Sequence, residues 1–202
     1  MHKLLLLSLL AACPGPKDTA ETGDSGDTDD TGDSGDTDDT GDTGTPAALP
    51  VDFPATLTED GGCADIYLYA NDPADTVFVA FESWDLGIVA TACTDGPQSL
   101  VLPLPDARLT LVAQVGESLS QNACNDVIEE SPVIDRAWTA SAGTLTLDVS
   151  PRPDITCDDE WDRYSDAVLT LDNLTFTPDD GGEGAVTVES FSISAGVGWL
   201  PG

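Results

Sequence analysis

From position 51 onward, apolar side chains recur at every second position rather than at helical spacing, and that period specifies half-buried strands. Leu109, Leu111, Ala113 and Val115 point one way while Arg108, Thr110 and Gln114 point the other. Leu145, Leu147 and Val149 alternate with Thr144, Thr146 and Asp148, and Ile66, Leu68 and Ala70 alternate with Tyr67 and Tyr69. The run 77–81 is apolar at every position, which suits a central strand covered on both faces. Turn chemistry separates these runs at Asn71-Asp72-Pro73, Asp95-Gly96-Pro97 and Pro178-Asp179-Asp180-Gly181-Gly182. Short strands at this spacing predict an all-β fold, a single antiparallel β-sandwich of immunoglobulin-like or jelly-roll-like type, over 51–202. Helical signals are confined to single turns at 125–130 and 158–164.

The last two strands carry a change of parity. Leu169 and Leu171 occupy odd positions but Leu174 and Phe176 even ones; beyond the turn, Val186 and Val188 are even but Phe191 and Ile193 odd. With the turn centred near 180.5, both changes fall opposite each other, around Asp172-Asn173 and Glu189-Ser190. A slip of one residue inverts every side chain, so paired slips predict a shared bend or bulge that curls this hairpin.

Segment 14–50 offers almost nothing apolar to such a core. TGDSGDTDD at 22–30 is repeated without change at 31–39, and a third copy begins at Thr40. Between Asp18 and Asp42 stand eleven acids and no base. With so few apolar side chains, little offsets the entropy of ordering, so a disordered, self-repelling tether is expected. It would reach ~130 Å when stretched, at ~3.5 Å per residue. The nine-residue period invites comparison with calcium-binding β-roll repeats, but each of those contributes an apolar residue to a core and none is present here.

Ahead of the tether, Lys3 precedes the leucine-rich stretch 4–10, apolar but for Ser8, followed by Ala11-Ala12-Cys13. A basic start, a short apolar stretch and small residues before a cut site form a secretory signal peptide over 1–12. Leu10-Ala11-Ala12-Cys13 resembles the lipobox of bacterial lipoproteins. That resemblance implies acylation of the Cys13 thiol, cleavage before it, and a membrane contact made through lipid alone. Pro14 stands where an aspartate would retain the protein at the inner membrane, which directs the expectation to the outer membrane. A lipobox, Thr/Ser-Gly-Asp repeats and one cysteine-bearing β domain together resemble lipoproteins of predatory and soil bacteria such as the myxobacteria, a resemblance that carries no activity with it.

From Pro50 the chain holds 27 Asp and Glu against Arg108, Arg136, Arg152 and Arg163, a net charge near −23. Such a surface repels nucleic acid and anionic headgroups, and a monomer is expected. The sole histidine is His2, within the signal peptide, so the processed chain has no imidazole for a Ser-His-Asp arrangement or a zinc site. A pair of carboxylates acting on carbohydrate remains as the hydrolytic alternative.

Four cysteines beyond Cys13 imply two disulfides in an exported domain. Segments 133–139 and 144–149 read as a hairpin turning at Ser141-Ala142-Gly143, and extending its arms brings Cys124 to Cys157; Cys63 with Cys93 follows by elimination. Acids cluster at Asp72 with Asp75, at Asp179 and Asp180 with Glu183, and at Asp158, Asp159, Glu160 and Asp162. The last group, stiffened by a disulfide at Cys157, is the candidate calcium site. Trp84, Trp138, Trp161, Tyr67, Tyr69 and Tyr164 are the aromatic side chains available to line a glycan-binding face. These features lead to one expectation: an envelope-exposed lipoprotein whose sandwich serves non-enzymatic binding, adhesion or structure toward a protein or glycan partner. The alternatives are the carboxylate hydrolase and a calcium-stabilised structural domain.

Overall fold

The computed structural model describes residues 47–83, 85–125, 131–158 and 163–198. The signal sequence, Cys13 and the acidic repeat therefore lie outside the described residues, as do Trp84, Trp161, Asp159, Glu160 and Asp162, and most of the two segments expected to form helical turns.

Among the described residues, a 3-10 turn, Phe53–Ala55, is followed by eight strands and one helix. These are β1 (Glu59–Cys63), β2 (Tyr67–Asn71), β3 (Val77–Ser83), α1 (Ile88–Asp95), β4 (Gln98–Leu104), β5 (Leu109–Glu117), β6 (Val133–Pro151), β7 (Ser165–Pro178) and β8 (Val186–Val197). All pairings are antiparallel, in the order β1-β2-β3-β5-β6-β7-β8, with β4 also on β6. The all-β antiparallel architecture is as the alternation requires. The layers are formed by one sheet curled back on itself, and an isolated bridge between Ala64 and Gly198 joins its two ends.

β6 is the spine of this arrangement. Along one edge its N-terminal half pairs with β5, from Val112↔Thr139 to Glu117↔Val133. Its C-terminal half pairs on that edge with β4, from Gln98↔Val149 to Leu104↔Gly143. The opposite edge is held by β7 along nearly its whole length. The residues expected to turn a hairpin, Ser141-Ala142-Gly143, form a bulge inside this one continuous strand: pairing with β7 slips on either side of Ala142. Gly143 adopts a φ of +136° there, a conformation that glycine alone reaches without strain. At the same level Asn173 adopts a φ of +52°, and the β7–β8 ladder omits the Asn173–Glu189 rung without a change of register. The paired parity changes therefore mark a real bend, and it crosses three strands rather than two.

The correction to β6 also corrects the cysteines. Because 133–151 does not reverse direction, nothing draws Cys124 toward Cys157, and the pairing of Cys63 with Cys93 falls with it. The disulfides are Cys63–Cys124 and Cys93–Cys157, each with Cα atoms 5.7 Å apart. The first ties the end of β1 to the segment following β5. The second ties α1 to the segment following β6. The two are interleaved in sequence.

The concave side of the sheet encloses one core, and Leu49, expected to belong to the tether ending at residue 50, is buried in it, so the domain begins before residue 51. Leu68, Phe81, Leu111 and Trp138 from one half and Leu145, Leu147, Leu169 and Ile193 from the other are all buried in a single cluster. Phe53 seals one end edge-on, with ring centroids 5.8 Å from Phe176 and 6.0 Å from Phe191; full burial of such a side chain contributes about 1.5–3 kcal/mol. α1, which the sequence reading did not anticipate, buries Ile88, Val89 and Ala92 on one face and stops before Pro97, which cannot continue a helix. Among the described residues no helix is long and apolar enough to cross a membrane.

Candidate functional site

The convex side of β2, β3 and β5 is also partly apolar, which explains the unbroken run 77–81. Val77, Val79 and Phe81 face the core, while Phe78 and Ala80 face outward and form a second cluster with Leu119. Register fixes their neighbours: Tyr67 lies opposite Glu82, Tyr69 opposite Ala80, Ala80 opposite Val112 and Glu82 opposite Thr110. Tyr67 and Tyr69 share this face, with ring centroids 6.1 Å apart, and Tyr69 stacks on Phe78 at 5.7 Å.

A strap formed by the residues after β5 crosses part of this surface. Asp75 holds it: the Ser120 amide donates to Asp75 Oδ1 at 2.9 Å and the Leu119 amide to the Asp75 carbonyl at 3.4 Å. Cys124, bonded to Cys63, fixes its far end. What the strap leaves uncovered is a groove of about 290 Å³. Tyr67, Phe78, Ala80, Val112, Leu119 and Ile134 supply apolar walls, and Glu82, Thr110, Gln114 and Asn122 polar groups. Ile134, on the rim, is 47% exposed, and neighbouring Val133 is 55% exposed.

The groove has a definite electrostatic sense. Among the described residues that line it, Glu82 is the one carboxylate and none is Lys or Arg. Burial, then Glu82, then Tyr69 push the Tyr67 hydroxyl up to about 12. Burial, then Asp60, Asp75 and Glu59 push Tyr69 upward as well. Both phenols therefore stay protonated donors in a field set by surrounding carboxylates.

The acid clusters singled out from sequence fare differently. Asp72 is consumed by its own turn: Oδ1 accepts from the Thr76 and Val77 amides, both at 2.7 Å, and Oδ2 from Thr76 Oγ1 at 3.0 Å. Against the opposing effect of partial burial, those amide donors hold its carboxyl below the usual range. Asp180 receives Arg136 through two contacts, 2.9 and 3.1 Å, and its carboxyl is lowered chiefly by that guanidinium. Asp179 accepts from Thr139 Oγ1 at 2.8 Å, and the Glu183 carbonyl accepts from Arg136 at 2.8 Å. These acids brace turns. Asp158 is exposed beside the Cys93–Cys157 bridge, and its partners in the expected calcium set lie outside the described residues. Among the described residues, no group of three or more His, Cys, Asp or Glu side chains is arranged to hold a metal ion.

Trp138 leaves the set of exposed aromatics. It is fully buried, donates from Nε1 to the Gly184 carbonyl at 3.1 Å, and carries the Arg136 guanidinium 5.2 Å above its ring. The outer-face groove itself was missed in the sequence. The signal was present in the all-apolar run 77–81 combined with tyrosines two apart on the preceding strand. Compared with known protein families, with curated proteins and with solved structures, the chain matches none.

Proposed function

We propose that this chain is a lipid-anchored envelope protein, held at the outer membrane through Cys13, whose β domain binds a partner and performs no covalent chemistry. The observation that carries the anchoring is Leu10-Ala11-Ala12-Cys13, placed directly after a short apolar stretch and before an acidic repeat. Two or more acyl chains on one thiol, at ~0.8 kcal/mol per buried methylene, make a stable attachment. A charged, core-free tether lets a folded domain search space around its anchor at low energetic cost. The binding role is supported by the outer-face groove, with its tyrosines and exposed Ile134 rim. The carboxylate-hydrolase alternative draws no support from the described lining of this groove, since retaining and inverting glycosidases alike need two acids flanking the bond and the described lining residues offer Glu82 alone. For calcium, Asp72 is committed to its own turn and Asp179 and Asp180 to Thr139 and Arg136 of β6, which leaves Asp158 to Asp162 as the set that alternative rests on.

Growth of a producing bacterium with an alkyne-tagged fatty acid tests the anchor. The full chain is expected to take up the tag and to sediment with outer membranes, and Cys13→Ser to lose both. A tagged Cys13→Ser chain, or an untagged native one, overturns the proposal.

A further inference from the structure

We propose that the groove between Tyr67, Glu82 and Ile134 binds a small organic cation, an ammonium group carried on an apolar body. This names the ligand class for the binding role above and rests on that reading.

Three properties of the groove converge on that class. Its walls are aromatic and aliphatic, and tyrosine faces carry negative quadrupole charge that attracts ammonium groups within ~6 Å. Glu82, the one carboxylate among its described lining residues, sits directly across the β2–β3 pair from Tyr67, so one cation meets a ring and a carboxylate together. The charge there is uncompensated by the known pairs: Arg108, Arg136 and Arg152 are engaged with Asp106, Asp180 and Asp166 respectively, and none of these residues lines the groove. Asp60, Asp75 and Glu59, acting on Tyr69, extend the same sign along the face. Anions and zwitterions with an exposed carboxylate are disfavoured by the same field.

Size separates a small ligand from a macromolecular one. About 290 Å³ lies at the lower edge of the ~300–1,000 Å³ typical of small-molecule sites. It accommodates one ring or a short alkyl chain with its ammonium head. A stable protein interface requires roughly 800 Å² from each partner, far beyond this groove.

The test uses the full chain with both disulfides intact, titrated with phenethylamine hydrochloride at fixed ionic strength and followed by amide NMR. 2-Phenylethanol is the neutral isostere. Saturable shifts are expected at Tyr67, Glu82, Val112 and Leu119. The alcohol is expected to bind roughly five- to thirtyfold more weakly, the range set by a cation–π contact from exposed to desolvated sites. Glu82→Gln and Tyr67→Leu should each reproduce that loss, while Asp166→Asn, on the opposite half of the sheet, leaves affinity unchanged. Equal affinity for amine and alcohol, shifts scattered over the acidic surface, or an unaltered affinity in Glu82→Gln each overturns the proposal. So does binding of a ten-residue lysine-containing peptide with none of phenethylamine. Failure here with Cys13 acylated removes the ligand but not the anchor; amine binding by a chain that takes up no fatty acid removes the anchor alone.

Discussion

Replacing Gly143 with alanine tests whether the three-strand bend is dictated by geometry. At a φ of +136° an L side chain is strained, at a cost on the order of 1–3 kcal/mol. The added Cβ would also lie 2.7 Å from Leu174 Cδ2, and 3.1 Å from both the Asp172 carbonyl oxygen and Leu174 Cα. Leucine can yield, but two of the three contacts are backbone atoms of β7, so the neighbouring strand must shift; overpacking of this kind costs roughly 1–3 kcal/mol more. Gly181 is the internal control. Its φ is +70°, yet no heavy atom among the described residues lies within 4 Å of an added Cβ, leaving only the left-handed penalty of about 1 kcal/mol. The expected difference between the variants is about 2–4 kcal/mol, or ~1–2 M in the urea midpoint for a slope near 2 kcal/mol/M. Trp138, buried beside the bend, reports the transition by fluorescence in the oxidised full chain. Midpoints for Gly143→Ala and Gly181→Ala within ~0.3 M of each other would refute the claim that close packing across β6 and β7 fixes the bend.

Proteolysis without reductant should release peptides linking Cys63 to Cys124 and Cys93 to Cys157; a peptide linking Cys124 to Cys157 would contradict the fold. Removing the second bridge, which closes 64 residues, by Cys93→Ser with Cys157→Ser should cost about 4 kcal/mol on the chain-entropy model, measured by urea unfolding. The Tyr67 hydroxyl, pushed up to about 12 from 10.0, favours the folded state while protonated. Its contribution is complete below pH 10 and lost as pH rises through about 12; tyrosinate absorbance should show Tyr67 titrating late, with Tyr69 also displaced upward, and three tyrosines titrating together near 10 would exclude this. Asp106 is lowered to about 2, first by the side-chain hydrogen bond from Arg108. Its contribution is present above the usual carboxylate range and lost as pH falls from about 4 through about 2; carboxyl NMR should show Arg108→Gln raising its midpoint.

Strands were legible wherever one face is dry and the other wet, because burial writes itself into parity. β2, β5 and β7 follow from alternation, and the bend at Asn173 from its inversion. β1 escaped notice since its Glu-Asp-Gly-Gly-Cys has no alternation to read; it lies at the sheet's end, exposed or half-buried throughout. Ser141-Ala142-Gly143 carries the same residues whether the chain turns back or merely bulges. The difference lies in β4 and β5, which share one edge of β6 and so require that strand to run on. Cysteine pairing inherits this non-local decision, and its inference failed with the hairpin. The groove demanded more still, for it depends on where the strap from β5 is anchored by Asp75 and Cys63.

The Cys63–Cys124 bridge has a mechanical consequence for a domain pulled through its N-terminus. Tension arriving at Ala47 first meets the hydrogen bond from Arg136 and the buried Leu49 and Phe53, and next the β1–β2 pairing, which can open one rung at a time. Peeling cannot pass Cys63. The slack released up to that residue is limited to some sixteen residues, ~55 Å at ~3.5 Å each. Beyond it, the pull crosses the bridge to Cys124 and enters the chain between β5 and β6. The bridge thus acts as a stop, separating a short extensible lead from a sheet that must fail as a whole.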